Sequence, residues 1–127
     1  MIKNVLFKEK NLTVISSTEE SKNIDVGARI LRVVFTQTHV VALLNWTDLN
    51  DTEYHNRNIV CFDERGQLLW RIVNQDTLSP SKNKTYYSWS SLVLKNDGCI
   101  KVGTISGMEV DVDINSGKFI SRGEYTK

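Results

Sequence analysis

Apolar residues recur at every second position along most of this chain, and few stretches place them at i, i+3, i+4 and i+7. That period belongs to half-buried strands rather than helices. Val33 to Phe35, His39 to Trp46, Asn58 to Phe62, Leu68 to Ile72, Leu92 to Leu94 and Met108 to Ile114 are rich in Val, Ile, Leu and aromatics, which suit a pleated surface with a covered face. Val5 to Phe7, Leu12 to Ile15 and Phe119–Ile120 give weaker strand signals. Between strands, Asp63-Glu64-Arg65-Gly66, Asn96-Asp97-Gly98 and Asn115-Ser116-Gly117 pair a side chain that bonds nearby backbone amides with a glycine that tolerates the left-handed conformation. Each predicts a tight hairpin.

A weak repeat links the first and last of these hairpins. Val60-Cys61-Phe62-Asp63 followed by Gly66 matches Val110-Asp111-Val112-Asp113 followed by Gly117, and each copy has an apolar strand pair upstream. The expected fold is therefore all-β: antiparallel meanders forming a β-sandwich or half-open barrel, with two propeller-blade-like units. Two blades cannot close a propeller, which needs more, so the N-terminal strands are expected to help cover them face to face. At 127 residues the chain fits one domain spanning 1–127.

Composition narrows the function classes. Hydrophobic residues make up 40% and charged residues 24%, ordinary for a folded domain. The net charge of +1 gives no field to draw the molecule onto a nucleic-acid backbone or an anionic membrane. No run is long and apolar enough to span a bilayer, and the start lacks a signal-peptide pattern, so the expected location is the cytoplasm. Cys61 and Cys99 lie in separate apolar runs and read as free thiols of a reducing compartment; with His39 and His55 as the only histidines they do not give a metal-ligand pattern.

Catalytic signals are few. There is no Gly-rich phosphate loop, no Gly-x-Ser-x-Gly and no His-Glu-x-x-His, and Asp63 and Asp113 sit where a turn calls for Asp. The expectation is a protein without catalytic residues, metal or cofactor. Two connections read instead as binding loops. Thr47 to Asn56 concentrates Asp48, Asp51, Glu53 and Tyr54, and Asn74 to Ser88 ends with Tyr86 and Tyr87 before Trp89; loops on a rigid β scaffold are where recognition residues gather. From Asn45 to Glu64 five carboxylates face Arg57 alone, so a basic partner is expected to be steered there. Along Met108 to Ile114 the acids alternate with apolar residues, which should place Glu109, Asp111 and Asp113 on one solvent face as a further negative surface. The alternative is a small ligand-binding barrel or enzyme with His39, His55 or Cys61 at its mouth.

Asn58-Ile-Val-Cys-Phe-Asp-Glu-Arg-Gly-Gln-Leu-Leu-Trp-Arg-Ile72, with Val40-Val-Ala-Leu-Leu-Asn45 upstream and Asp113-Ile-Asn-Ser-Gly-Lys118 near the end, is similar to segments of short bacterial proteins that resemble the immunity proteins of contact-dependent growth inhibition and related polymorphic toxin systems. The Asp-x-x-Gly and Leu-Trp-x-Ile pieces also occur in blades of quinoprotein-type propellers, where they are structural. The immunity resemblance implies a monomer that binds a cognate toxin domain, expected to be a ribonuclease or other nuclease, in a 1:1 complex, with no direct nucleic-acid binding and no membrane contact. It carries over no functional residue.

Overall fold

The computed structural model describes residues 1–49, 57–73, 88–96, 98–120 and 124–125, the last two by their backbone alone. Its strands are β1 (Ile2–Lys8), β2 (Asn11–Ser16), β3 (Ser21–Asp25), β4 (Ile30–Phe35), β5 (His39–Leu44), β6 (Ile59–Asp63), β7 (Leu68–Arg71), β8 (Trp89–Asn96), β9 (Cys99–Thr104), β10 (Met108–Asp113) and β11 (Glu124–Tyr125). All pair antiparallel, in three sheets ordered β1-β2-β3, β4-β5-β6-β7 and β8-β9-β10-β11. The fold is nearly all-β and does not close into a barrel. Among the described residues the one helical piece is a 3-10 turn at Trp46–Asp48, and no helix is long and apolar enough to cross a membrane.

The sheets are stacked as three layers, and the middle one is covered on both faces. Val40, Ala42 and Leu44 of β5, with Val60 and Phe62 of β6, pack against the first sheet through Leu12 and Val14. Val41, Leu43, Ile59 and Cys61 alternate with them and pack the other way, against Leu92, Ile100, Val102 and Val112 of the third sheet. Burial on both sides accounts for the unbroken apolar runs of β5 and β6, because each successive side chain enters a different core. The two blade-like units of the sequence are the second and third sheets, and the N-terminal strands build the first.

Two elements depart from the strand pattern read in the sequence. β3, Ser-Lys-Asn-Ile-Asp, was not expected, since Ile24 is its one apolar residue; it forms because β2 offers it a full antiparallel register. Phe119–Ile120 is not a strand but a single bridge from Phe119 to Val112, and β11 pairs with β10 instead.

The strand directions give the stack two unlike ends. At the turn end the chain reverses between β2 and β3, β4 and β5, β6 and β7, and after β10. Asp63 Oδ1 accepts from the Arg65 and Gln67 amides and Asp113 Oδ1 from that of Asn115, with Gly66 at φ 80° and Gly117 at φ 74° closing the loops. The same glycines dock adjacent sheets: a Cβ on Gly117 would stand 2.5 Å from the Trp70 indole, and one on Gly66 would stand 3.0 Å from Ile24. Trp70 also donates Nε1–H to the Ile114 carbonyl at 2.8 Å.

Candidate functional site

The opposite end is crossed by hydrogen bonds that link all three sheets. Val26 and Ile30 donate their amides to the Lys10 and Glu9 carbonyls, Asn45 donates to Arg29, and Leu44 donates to Asn58. Asn58 is fully buried and acts as a clamp. Its Nδ2 donates to the Leu44 and Trp89 carbonyls at 2.8 and 2.9 Å, and its Oδ1 accepts from the Trp89 amide at 2.9 Å. A buried side-chain amide with these partners satisfies backbone groups that would otherwise be stranded at the entry to β6 and β8.

Both connections singled out in the sequence are rooted at this end. The described chain stops at Leu49 and resumes at Arg57, then stops at Val73 and resumes at Ser88. Leu49 bonds the Trp46 turn, Arg57 Nε donates to the Ile72 carbonyl at 2.9 Å, and Trp89 is held by Asn58. Asp51, Glu53, Tyr54, Tyr86 and Tyr87, and also His55, lie outside the described residues.

Asp48 is described, and its role differs from that of a solvated loop charge. The Asn45 side chain caps the 3-10 turn that carries it, accepting from the Thr47 amide. Asp48 Oδ2 accepts from Arg29 Nε at 2.8 Å and from the Arg29 amide at 2.9 Å, while Oδ1 accepts from Nη2 at 3.2 Å. The Arg29 hydrogen bonds hold the Asp48 carboxyl below its ordinary range, and the Asp48 carboxylate in turn raises the Arg29 guanidinium. Of the acidic stretch, this member is therefore neutralised within the chain.

The acid stripe is also paired. Glu109, Asp111 and Asp113 do share the outer face of the third sheet, but they are half-buried, with Lys95 Nζ 2.9 Å from Asp111 and Lys101 Nζ 3.7 Å from Glu109. The Asp111 hydrogen bond raises the Lys95 ammonium. Cross-strand lysines, Lys101 directly opposite Asp111, thus partner two of the three acids of that negative surface. Nor does the fold bring the stripe to Asp48, which is tied to the connection between β3 and β4.

Exposed apolar side chains at the loop-rooted end, Ile105 and Trp46 among them, were missed by the sequence reading. Ile105, in the β9–β10 turn that Gly107 closes at φ 96°, is 83% exposed, and Trp46 is 42% exposed. The available signal was an isoleucine inside Thr-Ile-Ser-Gly, a turn composition that gives it no core to enter. Trp89, by contrast, is core, its ring centroid 6.1 Å from that of Phe119.

Of the groups named for a ligand-binding barrel, the two described ones, His39 and Cys61, do not converge on a cavity. His39 opens β5 at the turn end and hydrogen-bonds the Thr38 hydroxyl. Cys61 is a free thiol in the core, pushed up to about 12 by burial, so it is no nucleophile near neutrality; Cys99 is free and half-buried. A cleft of about 240 Å³ at the turn end is lined by Ser16, Thr18, Lys22, Glu64 and Arg65 among others, and by neither His39 nor Cys61. Among the described residues no three His, Cys, Asp or Glu side chains cluster as metal ligands would.

The stack is similar to solved structures at the level of fold. The crystal structure of HIRA(644-1017) superposes with a TM-score of 0.57 at 16% identity over 96% of this chain and 32% of that one. That of the computationally designed Ika8 protein gives 0.52 at 15% identity over 98% of this chain and 37% of that one. The chain thus spans about a third of the length of the structures it matches. No curated protein matches it. The profile of "Domain of unknown function (DUF7957)" covers residues 2–124, and the chain belongs to that family.

Proposed function

We propose that this chain is a partner-binding protein of the immunity type, which neutralises a cognate bacterial toxin domain by covering its active site or substrate cleft, without catalysis, metal or cofactor of its own. The observation that carries the reading is the rooting of both long connections at one end of a rigid stack, where Trp46 and Ile105 are already exposed. Side chains on connections gain precision from a scaffold that does not move with them, and exposed Trp is a frequent anchor of protein interfaces. The toxin class comes from the resemblance of the Asn58–Ile72 and Asp113–Lys118 segments. A nuclease cleft is basic because it holds phosphates; with Asp48 tied to Arg29, Asp51 and Glu53 are the carboxylates of that segment proposed to meet it.

The test is co-expression with the product of the gene immediately upstream, which the proposal requires to carry a toxin domain. The wild type should form a 1:1 complex in sedimentation and suppress toxicity. Trp46→Ala with Ile105→Asp should weaken the complex by about a hundredfold if these are interface anchors, while Asp51→Asn with Glu53→Gln should mainly slow association and flatten its salt dependence. A double anchor variant that binds with the wild-type Kd, or a neighbouring product that neither harms cells nor binds, would overturn the proposal.

A further inference from the structure

Among the described residues the first sheet has three strands and each of the other two has four. Glu9 and Lys10, after β1, bond Ile30 and Val26; Asn45, after β5, bonds Arg29; and Thr104, at the end of β9, pairs with Trp89. β1, β5 and β9 therefore all finish at the loop-rooted end, and each is followed by the strand that fills the same place in its sheet. The docking contacts agree, since Ile24 of β3 meets Gly66 as Trp70 of β7 meets Gly117. β5 is flanked by β4 and β9 by β8, whereas β1 is the edge of its sheet. Among the described residues, the position matching β4 and β8 is open.

The open edge is prepared for backbone pairing. Lys8 faces Asn11 across a two-residue turn, so the pairs Lys8–Asn11, Leu6–Thr13 and Asn4–Ile15 exchange the ladder hydrogen bonds with β2, and the N–H and C=O groups of Val5 and Phe7 point away from it. The Val5 amide is met by the Asn4 side chain; the Phe7 groups remain directed at the open position. Leu6 and Phe7 are 55% and 45% exposed, and Leu31, displaced by a bulge at the start of β4, is 54% exposed. Lysines stand at both ends of the open stretch, Lys3 with Glu19 as its partner and Lys8 without an ion pair among the described residues. Edge lysines oppose the addition of a second, like-charged copy.

We propose that the outer edge of β1 is a strand-addition site, which takes one extended segment of a partner protein, its alternate residues apolar and its N-terminal flank acidic, in the place that β4 and β8 occupy in the other sheets. The segment runs antiparallel to β1, so its N-terminal flank lies beside Lys8, its alternate side chains cover Phe7 and Leu31, and its backbone meets the Phe7 N–H and C=O. The site adjoins the loop-rooted end at Lys8 and Leu31 but uses the backbone of β1 rather than Trp46 and Ile105, so the variants at the two places distinguish them.

The probe is a synthetic peptide with the β8 sequence Trp89–Leu94 behind two added glutamates, titrated into the full-length protein and followed by amide NMR and hydrogen exchange. Shifts should map to Lys3–Lys8, with exchange slowed at the Phe7 amide. Phe7→Pro removes an outward-facing donor without breaking a β1–β2 bond and should weaken binding about tenfold. Lys8→Glu, a surface change that leaves the ladder intact, should reverse the preference between glutamate- and lysine-flanked peptides. Shifts confined to Trp46 and Ile105 and absent from β1, no shift at millimolar peptide, or unchanged affinity in a folded Phe7→Pro protein would overturn the proposal. Concentration-dependent shifts of these amides without peptide would overturn it in favour of self-pairing.

Discussion

The two ends of the stack hold the same strands together by different means. At the turn end the contacts are short in sequence: Asp63 bonds amides two and four residues away, Asp113 bonds one two residues away, and Gly66 and Gly117 close those loops. At the loop-rooted end Asn58 reaches Leu44 and Trp89, fourteen and thirty-one residues distant, and Asp48 reaches Arg29 over nineteen. The loops of the turn end form from local chemistry and are then docked by Trp70 and Ile24, whereas the Asn58 clamp and the Asp48–Arg29 pair exist only once distant segments have met. β1–β2 and β9–β10 still close in tight turns at this end, but where β5 and β7 finish the strands are fixed by the Asn58 and Arg57 side chains, and there the chain can carry long connections.

The sharpest way to break this contrast is Asn58→Ala. It leaves the Leu44 and Trp89 carbonyls and the Trp89 amide without their present partners in a buried site, and each unsatisfied group costs about 1–3 kcal/mol. The expected loss is about 4 kcal/mol in denaturant unfolding, with the third sheet's amides near Trp89 losing hydrogen-exchange protection first. A loss below about 1 kcal/mol would show that the clamp is dispensable.

At the turn end the matching experiment is Gly117→Ala set against Gly27→Ala. Both glycines have positive φ, but a Cβ at position 27 meets nothing within 4 Å, while one at 117 runs into Trp70. Backbone strain alone costs about 1–2 kcal/mol, and overpacking adds about 1–3 kcal/mol. Gly117→Ala should therefore cost about 2–5 kcal/mol in chemical denaturation and Gly27→Ala only the backbone part. Equal losses would mean that the indole gives way freely.

How much of this was readable in the sequence follows the same division. The Asp-x-x-Gly turn at Asp63, the Asp113 turn and the apolar runs of β5 and β6 announce themselves within a few residues, so the all-β fold and its hairpins were legible, whereas the covering of the middle sheet on both faces was not. β3 was not, because Ser-Lys-Asn-Ile-Asp becomes a strand only through pairing with β2. The acids were legible as charges but not their cations. Nothing near Asp48 in the sequence points to Arg29, and nothing near Asp111 points to Lys95, since those pairings depend on how the sheets and strands are brought together. Asn58 looked like the polar start of an apolar strand, and its role needs the third sheet in place.

Cys61, in the core between the second and third sheets, reports which end lets them part. Its thiol, pushed up to about 12 from an ordinary value of about 8.5, stays protonated in the folded protein while the unfolded chain releases its proton. Stability from this group is thus full below that ordinary value and falls as pH rises toward the folded one. Near pH 8, alkylation of native Cys61 should trail that of half-buried Cys99 by roughly a hundredfold or more. Asn58→Ala should accelerate it if the loop-rooted end controls opening; acceleration only by Gly117→Ala would assign control to the turn end.

The smallest effect is expected from Asp48→Asn, and it separates the two duties of the loop-rooted end. Arg29 bonds hold the Asp48 carboxyl below its ordinary range, so the ionised group favours the folded state above the ordinary carboxylate value, and that contribution is lost as pH falls through the lowered one. Asn keeps the size of the side chain and can still accept from the Arg29 amide, but it removes the charge that draws the guanidinium in. The pair is solvent-screened, so global stability should change little. The change should appear locally instead: the Arg29 Nε–H should exchange faster, and the acid-side step in a pH titration of the Arg29 amide shift should vanish. Slow Nε–H exchange retained in Asp48→Asn would show that backbone geometry, not the carboxylate, fixes Arg29. Toxin binding that weakens in the same variant as strongly as in Asp51→Asn with Glu53→Gln would show that Asp48 leaves Arg29 to meet the partner.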